Sequence, residues 1–267
     1  MRHSVTDVAQ IALYLISIRS TEPLHSAKIV RSNCFAVTAL RYTQIASLPK
    51  KQMLIGVINQ KGGVGKSTTA AHLAYWLSHH RKQNTLVLDS DSQQSSSQWL
   101  QKMSLEFRII DDPEDLFETA TDLADQYDAI VIDAPGVLGE TTKSILLAVD
   151  LALIPVQAAQ LDLASTEKIV RLVHNVQKVR KGQPHAAIFL NKAEKRSILL
   201  REARVALADI SGIKLLETTI YRRMAIADAP GQSATVFNMS GESAQVAAKE
   251  YEQLFTEALN YGEAKLE

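Results

Sequence analysis

The chain has 267 residues, 29 Lys/Arg against 29 Asp/Glu for a net charge of +0, and 46% hydrophobic against 22% charged residues. That balance predicts a globular chain with one sizeable α/β domain or at most two small ones, and it argues against a generally basic nucleic-acid coat while leaving room for a local basic patch. A single cysteine, Cys34, excludes a disulfide framework, a CxxC redox pair and a Cys-ligated cluster within one chain, and no apolar run reaches the roughly 18–20 residues that a bilayer span requires.

The first 52 residues differ from the rest, with seven Lys/Arg against two Asp/Glu and the only cysteine. No repeat or βαβ pattern runs through them, whereas a compact α/β domain starts well at Met53. Two readings stand: translation beginning at Met53, or a real, weakly ordered or helical extension over 1–52. The intact mass of the natively expressed protein separates them.

From Met53 to the end, the pattern alternates. Short apolar runs at 54–58, 85–88, 129–132, 151–155 and 186–190 read as buried parallel strands, with 107–110 a further candidate. Helical stretches fall between and after them, at 68–80, 113–126, 140–148, 165–180, 198–208 and 246–259. Strand–helix alternation of this kind predicts a mostly parallel, twisted sheet with helices on both faces.

The first strand leads into Asn59-Gln60-Lys61-Gly62-Gly63-Val64-Gly65-Lys66-Ser67-Thr68 and then a helix. Glycines let the backbone curl until several N–H groups face one anion, and the helix that follows adds the positive end of its dipole. In such a phosphate loop, Lys66 is expected to reach the β- and γ-phosphates of ATP. The Ser67 hydroxyl is expected on Mg2+, which prefers hard oxygen ligands. The second strand ends in Leu88-Asp89-Ser90-Asp91-Ser92-Gln93-Gln94, placing two acids past the carboxyl end of a strand, where ligands sit in open α/β sheets. The strand 129–132 ends in Asp133-Ala134-Pro135-Gly136, which predicts a metal-side carboxylate and a glycine close to the γ-phosphate. Asn191 follows another strand, and its amide is able both to donate to and to accept from a purine edge; a plain turn residue is the alternative.

The loop is not the ordinary form, since Gln60 stands where the usual pattern has its first glycine and Lys61 is an additional lysine. Lys61-Gly62-Gly63-Val64-Gly65-Lys66-Ser67 resembles the deviant Walker A box of the ParA/MinD group of P-loop ATPases. The resemblance implies that Lys61 reaches across an ATP-dependent homodimer to the partner's nucleotide. The Asp89–Gln94 run is similar to the D-x-D-P-Q segment of ParA proteins, with Ser92 in place of proline, and implies Asp91 for hydrolysis and Asp89 for the metal side. Arg222, Arg223 and the Ala-rich run to Gly231 resemble a late ParA segment, so the likeness spans roughly 53–240.

Between Lys168 and Arg223 stand thirteen Lys/Arg against four Asp/Glu, a segregation that suits sequence-independent contact with backbone phosphates. Solvated helix faces give the same count, and it is the ParA resemblance that favours nonspecific DNA. It further implies a ParB-type centromere-binding partner and nucleoid association, while the single cysteine and the lack of a span predict a cytoplasmic protein off the membrane. A MinD-like membrane cycler needs a basic amphipathic tail, but 249–267 carries five Glu against two Lys. An electron-transfer ATPase needs cysteines that 53–267 lacks. A synthetase of the same superfamily stays open. His72, His79, His80 and His174 lack ligand spacing and read as packing or surface residues, and Trp76 and Trp99 as core.

Overall fold

The computed structural model describes residues 52–91, 97–161, 163–208, 210 and 212–264. The chain divides into Met1–Pro49 and Lys50–Glu267. The extension over 1–52 thus lies outside the described residues, except for Gln52, and so does Ser92.

Seven strands are described: β1 (Met53–Val57), β2 (Thr85–Asp89), β3 (Glu106–Ile109), β4 (Ala129–Asp133), β5 (Leu151–Gln157), β6 (His185–Ala193) and β7 (Lys214–Tyr221). They form one sheet in the order β3-β2-β4-β1-β5-β6-β7, with every pairing parallel. The helices are α1 (Lys66–Tyr75), continued in π geometry over Trp76–His80, α2 (Ser97–Lys102), α3 (Pro113–Asp122), α4 (Glu140–Ala148), α5 (Leu163–Val179), α6 (Ile198–Ala208), α7 (Met224–Asp228) and α8 (Glu242–Glu263).

The central strands β1, β2, β4 and β5 are apolar on both faces because both faces are covered. On one face, Ile55, Val57, Val87 and Val131 pack with α1, α2, α7 and α8 around the fully buried Trp76, Tyr251 and Phe255. On the other, Gly56 lets α4 approach: a Cβ there would lie 2.9 Å from Ile145 Cγ2. Each buried Leu or Ile contributes about 1.5–3 kcal/mol of transfer free energy. Trp76 and Trp99 lie in this core, 2% and 5% exposed.

The pattern reading missed β7 because it is an edge strand. Its side chains alternate imperfectly between core and solvent, and three polar residues interrupt the apolar run. Its outer edge is closed by the last helix. The Glu257 carboxylate accepts from the N–H groups of Glu217 at 2.7 Å and Thr218 at 3.0 Å, and Glu250 accepts from that of Tyr221 at 3.3 Å. Two acids of the tail thus block an edge that would otherwise template further pairing.

Candidate nucleotide site

Sheet register brings the motif residues together. Val57, the last residue of β1, pairs with Asp133, and Asp133 pairs with Asp89, so three strand ends reach one level. The phosphate loop leaves the central strand there, between β4 and β5. In open α/β sheets this carboxyl end, where the strand order reverses, is the binding crevice.

The loop is tied from its first residue. Asn59 is buried; its amide donates to Pro155 O at 2.8 Å, and its Oδ1 accepts from the Lys61 N–H at 3.0 Å. Gln60, the departure from the common glycine, donates to Ser165 O at 2.9 Å and so ties the loop to α5. Gly63 and Gly65 take φ of +73 and +97, a left-handed conformation that a side chain resists. Gly65 is the N-cap of α1 and no side chain caps the helix, so its first-turn N–H groups face the loop.

Lys66 is 7% exposed and lies within reach of the Lys61 carbonyl at 3.5 Å. Desolvation pulls its ammonium below the ordinary lysine range, while the charges of Asp133 and then Asp91 pull the other way. A Cβ on Gly136 would sit 3.9 Å from Lys66 Nζ, so the strand end after Asp133 runs beside this ammonium. Gly62 and Gly63 are exposed, with open space where a Cβ would stand. An uncapped helix start, left-handed glycines and a buried ammonium that feels the charges of two acids together fit a polyanionic ligand carrying a hard cation. Ser67 and Thr68, at the first turn of α1, are half-buried.

Asp89 and Asp133 are fully buried, while Asp91 is half-buried. Both Asp89 oxygens are bonded: Oδ1 accepts from Asp91 N at 3.1 Å, and Oδ2 accepts at the start of α2 from Ser97 N at 3.0 Å and Ser97 Oγ at 2.8 Å. Asp89, expected on the metal side, is thus bonded in this structure to the Asp91 N–H and to the start of α2. Ser90 ties this turn to β4 through Asp133 O at 2.7 Å.

Asn191 is 2% exposed and lies against the loop. Its Nδ2 donates to Val64 O at 2.7 Å and its Oδ1 accepts from Lys192 N at 2.9 Å. A Cβ on Gly65 would come within 2.4 Å of that Nδ2, so Gly65 is required here by contact as well as by φ. The amide expected at a purine edge is engaged in bracing the loop.

The basic stretch does not form one surface. Arg180 is buried and donates to Leu146 O at 2.8 Å, to Val149 O, and to Gln183 Oε1 at 3.0 Å, closing the end of α4. Arg223 pairs with Glu250, and Arg204 donates to Glu217 O and to Thr219 Oγ1 at 2.8 Å. These three cations serve the fold. Because all strands are parallel, the exposed remainder divides by strand end. Lys178, Lys181 and Lys214 lie at the amino ends of β6 and β7, while Lys195, Arg196 and Arg222 lie at the carboxyl ends with the phosphate loop, beside Lys192, whose ammonium is bonded into that loop. Lys168 and Arg171 are exposed on α5, and Arg201 on α6.

The sequence reading overlooked Gln157 and Lys192, which donate to Gly63 O at 2.8 Å and 2.6 Å. Nothing local marks Gln157; only the pairing of Gln157 with Asn191 across β5 and β6 reveals it. His72 is a packing residue, as expected. It is fully buried and stacked on Tyr251 at 4.6 Å, with Nδ1 2.7 Å from Thr68 O and Nε2 accepting from Val236 N at 3.2 Å. Among the described residues no group of His, Cys, Asp or Glu forms a metal cluster, and no helix is long and apolar enough to cross a membrane.

A model of the CobQ/CobB/MinD/ParA nucleotide binding domain matches residues 55–236. The chromosome-partitioning ATPase Soj of Thermus thermophilus is 28% identical over 225 residues, which cover 71% of this chain and 89% of that protein. The maintenance of carboxysome distribution protein A (McdA) of Gloeobacter kilaueensis is 29% identical over 209 residues, 76% of this chain and 93% of the relative. Among solved structures, an ATP complex of a Cyanothece McdA variant matches with a TM-score of 0.64 at 17% identity, over 79% of this chain and 98% of that one. A Borrelia burgdorferi putative plasmid partition protein bound to AMPPNP matches at 0.58 and 20%, over 78% and 99%. At those identities the structural likeness establishes the fold, and the family match goes further: this chain belongs to the CobQ/CobB/MinD/ParA nucleotide-binding family, as the ParA resemblance of its phosphate loop implied.

Proposed function

We propose that this chain is a ParA-type ATPase that binds and hydrolyses Mg·ATP, forms a homodimer with ATP, binds DNA without sequence preference and acts in plasmid or chromosome partitioning. The observation that carries the reading is Lys66, a buried ammonium at the start of α1 facing Asp133 and Asp91. A lysine is desolvated in this way at little gain to the fold, but at large gain to binding a polyphosphate.

In this reading Lys61, Gly62, Gly63, Val64, Gly65, Lys66, Ser67 and Thr68 hold the nucleotide. Ser67 and Asp133 hold Mg2+, with Asp89 acting through the turn it ties. When bound, the cation would supply charge neutralisation at the phosphates. Asp91 orients the attacking water, and Asn191 serves the nucleotide through the loop it braces. Following the family resemblance, Lys61 completes the partner protomer's site. Lys195, Arg196, Arg201 and Arg222, all exposed, provide the DNA contact, and a ParB-type partner stimulates turnover at the nucleoid.

The test is binding of the full chain to random duplex DNA with ATP, with ADP and without nucleotide, across a salt series. The expected result is binding that needs ATP, falls steeply with salt and disappears in Lys66→Ala. ATP binding with no DNA binding under any condition would leave a nucleotide-binding protein and remove the partitioning role.

A further inference from the structure

Three peptide groups of the phosphate loop have their carbonyls captured by side chains. Lys61 O receives Lys66 Nζ at 3.5 Å, Gly63 O receives both Gln157 Nε2 at 2.8 Å and Lys192 Nζ at 2.6 Å, and Val64 O receives Asn191 Nδ2 at 2.7 Å. A trans peptide is planar, and its C=O and N–H point in opposite directions. Fixing these three carbonyls therefore also fixes the N–H groups of Gly62, Val64 and Gly65, turned the other way. A row of N–H groups so turned is what makes a loop an anion-binding concavity.

The glycines make this restraint necessary. Gly62 and Gly63 meet no atom within 4 Å of where a Cβ would stand and carry no side chain of their own to anchor this stretch. The double capture of Gly63 O supplies the hold. It comes from two adjacent parallel strands: Gln157 ends β5, its register partner on β6 is Asn191, and Lys192 is the next residue. Lys192 takes φ of +51, in the left-handed region that a side chain adopts only under constraint. Burial lowers the Lys192 ammonium below the usual range, and Arg222 adds to this, as suits a cation drawn in from solvent.

We propose that Gln157 and Lys192 are positioning residues that set the phosphate loop in its anion-binding shape before any ligand arrives. The inference rests on the reading of this loop as a nucleotide site, but its central claim concerns the ligand-free loop. Neither residue is assigned to touch phosphate. Both act through one carbonyl, a neutral amide and an ammonium doing the same task.

The experiment uses the full chain with Lys192→Met, Gln157→Leu and Lys192→Arg. Backbone hydrogen exchange is followed over residues 59–68 without nucleotide, with residues 106–109 of β3 as the reference for global loosening. ADP affinity is measured in parallel. Lys192→Met and Gln157→Leu should each speed loop exchange relative to β3 and weaken ADP by about 5-fold, the value of one hydrogen bond, and Lys192→Arg should restore most of both. Unchanged loop exchange in the two variants overturns the proposal. Should Lys192→Met then still weaken ADP in a salt-dependent way, Lys192 is a direct contact to the anion. Failure of the unsubstituted chain to bind any nucleotide would sink the proposed function, and the exchange comparison would still decide whether Gln157 and Lys192 hold the loop.

Discussion

The phosphate loop and the basic stretch from Lys168 to Arg223 put their polar groups to opposite uses. At the loop, side chains from the ends of β5 and β6 hold its backbone carbonyls, which turns the N–H groups of the same peptides the other way. In the basic stretch, Arg180, Arg204 and Arg223 are held by carbonyls and carboxylates of the fold, Lys192 is bonded into the loop, and the other cations are exposed. The loop is a local device whose residues are contiguous, so spacing identifies it. The stretch is a census of charge, and only the sheet decides which charges are structural and which are displayed.

That contrast makes its strongest claim at Lys66. Lys66→Ala should weaken ATP binding by more than about 100-fold, the loss of a desolvated charge-assisted contact, with the melting temperature unchanged or raised. A titration paired with a thermal melt checks both halves. A mutant that melts early and still binds ATP would make Lys66 structural, like Arg180.

Arg180→Ala should do the reverse. Removing the guanidinium leaves the carbonyls of Leu146 and Val149 buried with a partner lost, at a cost of about 3 kcal/mol in denaturant unfolding, with DNA binding per folded molecule unchanged. A drop in DNA affinity without loss of stability would return Arg180 to the displayed set.

His72 sharpens the comparison from the core side. Burial holds it at about 4, below the ordinary value of 6.5, so the folded state keeps it neutral while the unfolded chain protonates as pH falls. Its contribution is fully present above pH 6.5 and declines as the pH falls from there to about 4, by about 3 kcal/mol in all. Unfolding free energies at pH 7.5 and pH 5 should show that slope, and His72→Gln should flatten it.

The smallest effects belong to the displayed cations. Lys195→Ala, Arg196→Ala and Arg222→Ala should each lower DNA affinity a few-fold, about 1 kcal/mol or less, and reduce the salt slope by about one, with stability unchanged. The Arg222–Glu194 pair at 3.8 Å is too exposed to matter to stability, at 77% and 62% side-chain exposure. Equal losses from Lys178→Ala and Lys181→Ala, at the opposite end of the sheet, would break the assignment of the contact to the carboxyl ends.

The parallel α/β class, six of the seven described strands and the phosphate loop were legible in the sequence. Each of these is written in contiguous residues: buried strands as apolar runs, the loop as glycines and a lysine before a helix. The tertiary structure alone decided the edge strand β7, whose mixed pattern reflects solvent on one side, and the division of the arginines. It also decided the bracing of the loop. Gln157, Asn191 and Lys192 reach the loop from the ends of β5 and β6, about 100 residues later in sequence, and only parallel register brings them beneath Gly63 and Val64. A local pattern records which groups a backbone can offer, and packing across strands settles where those groups point.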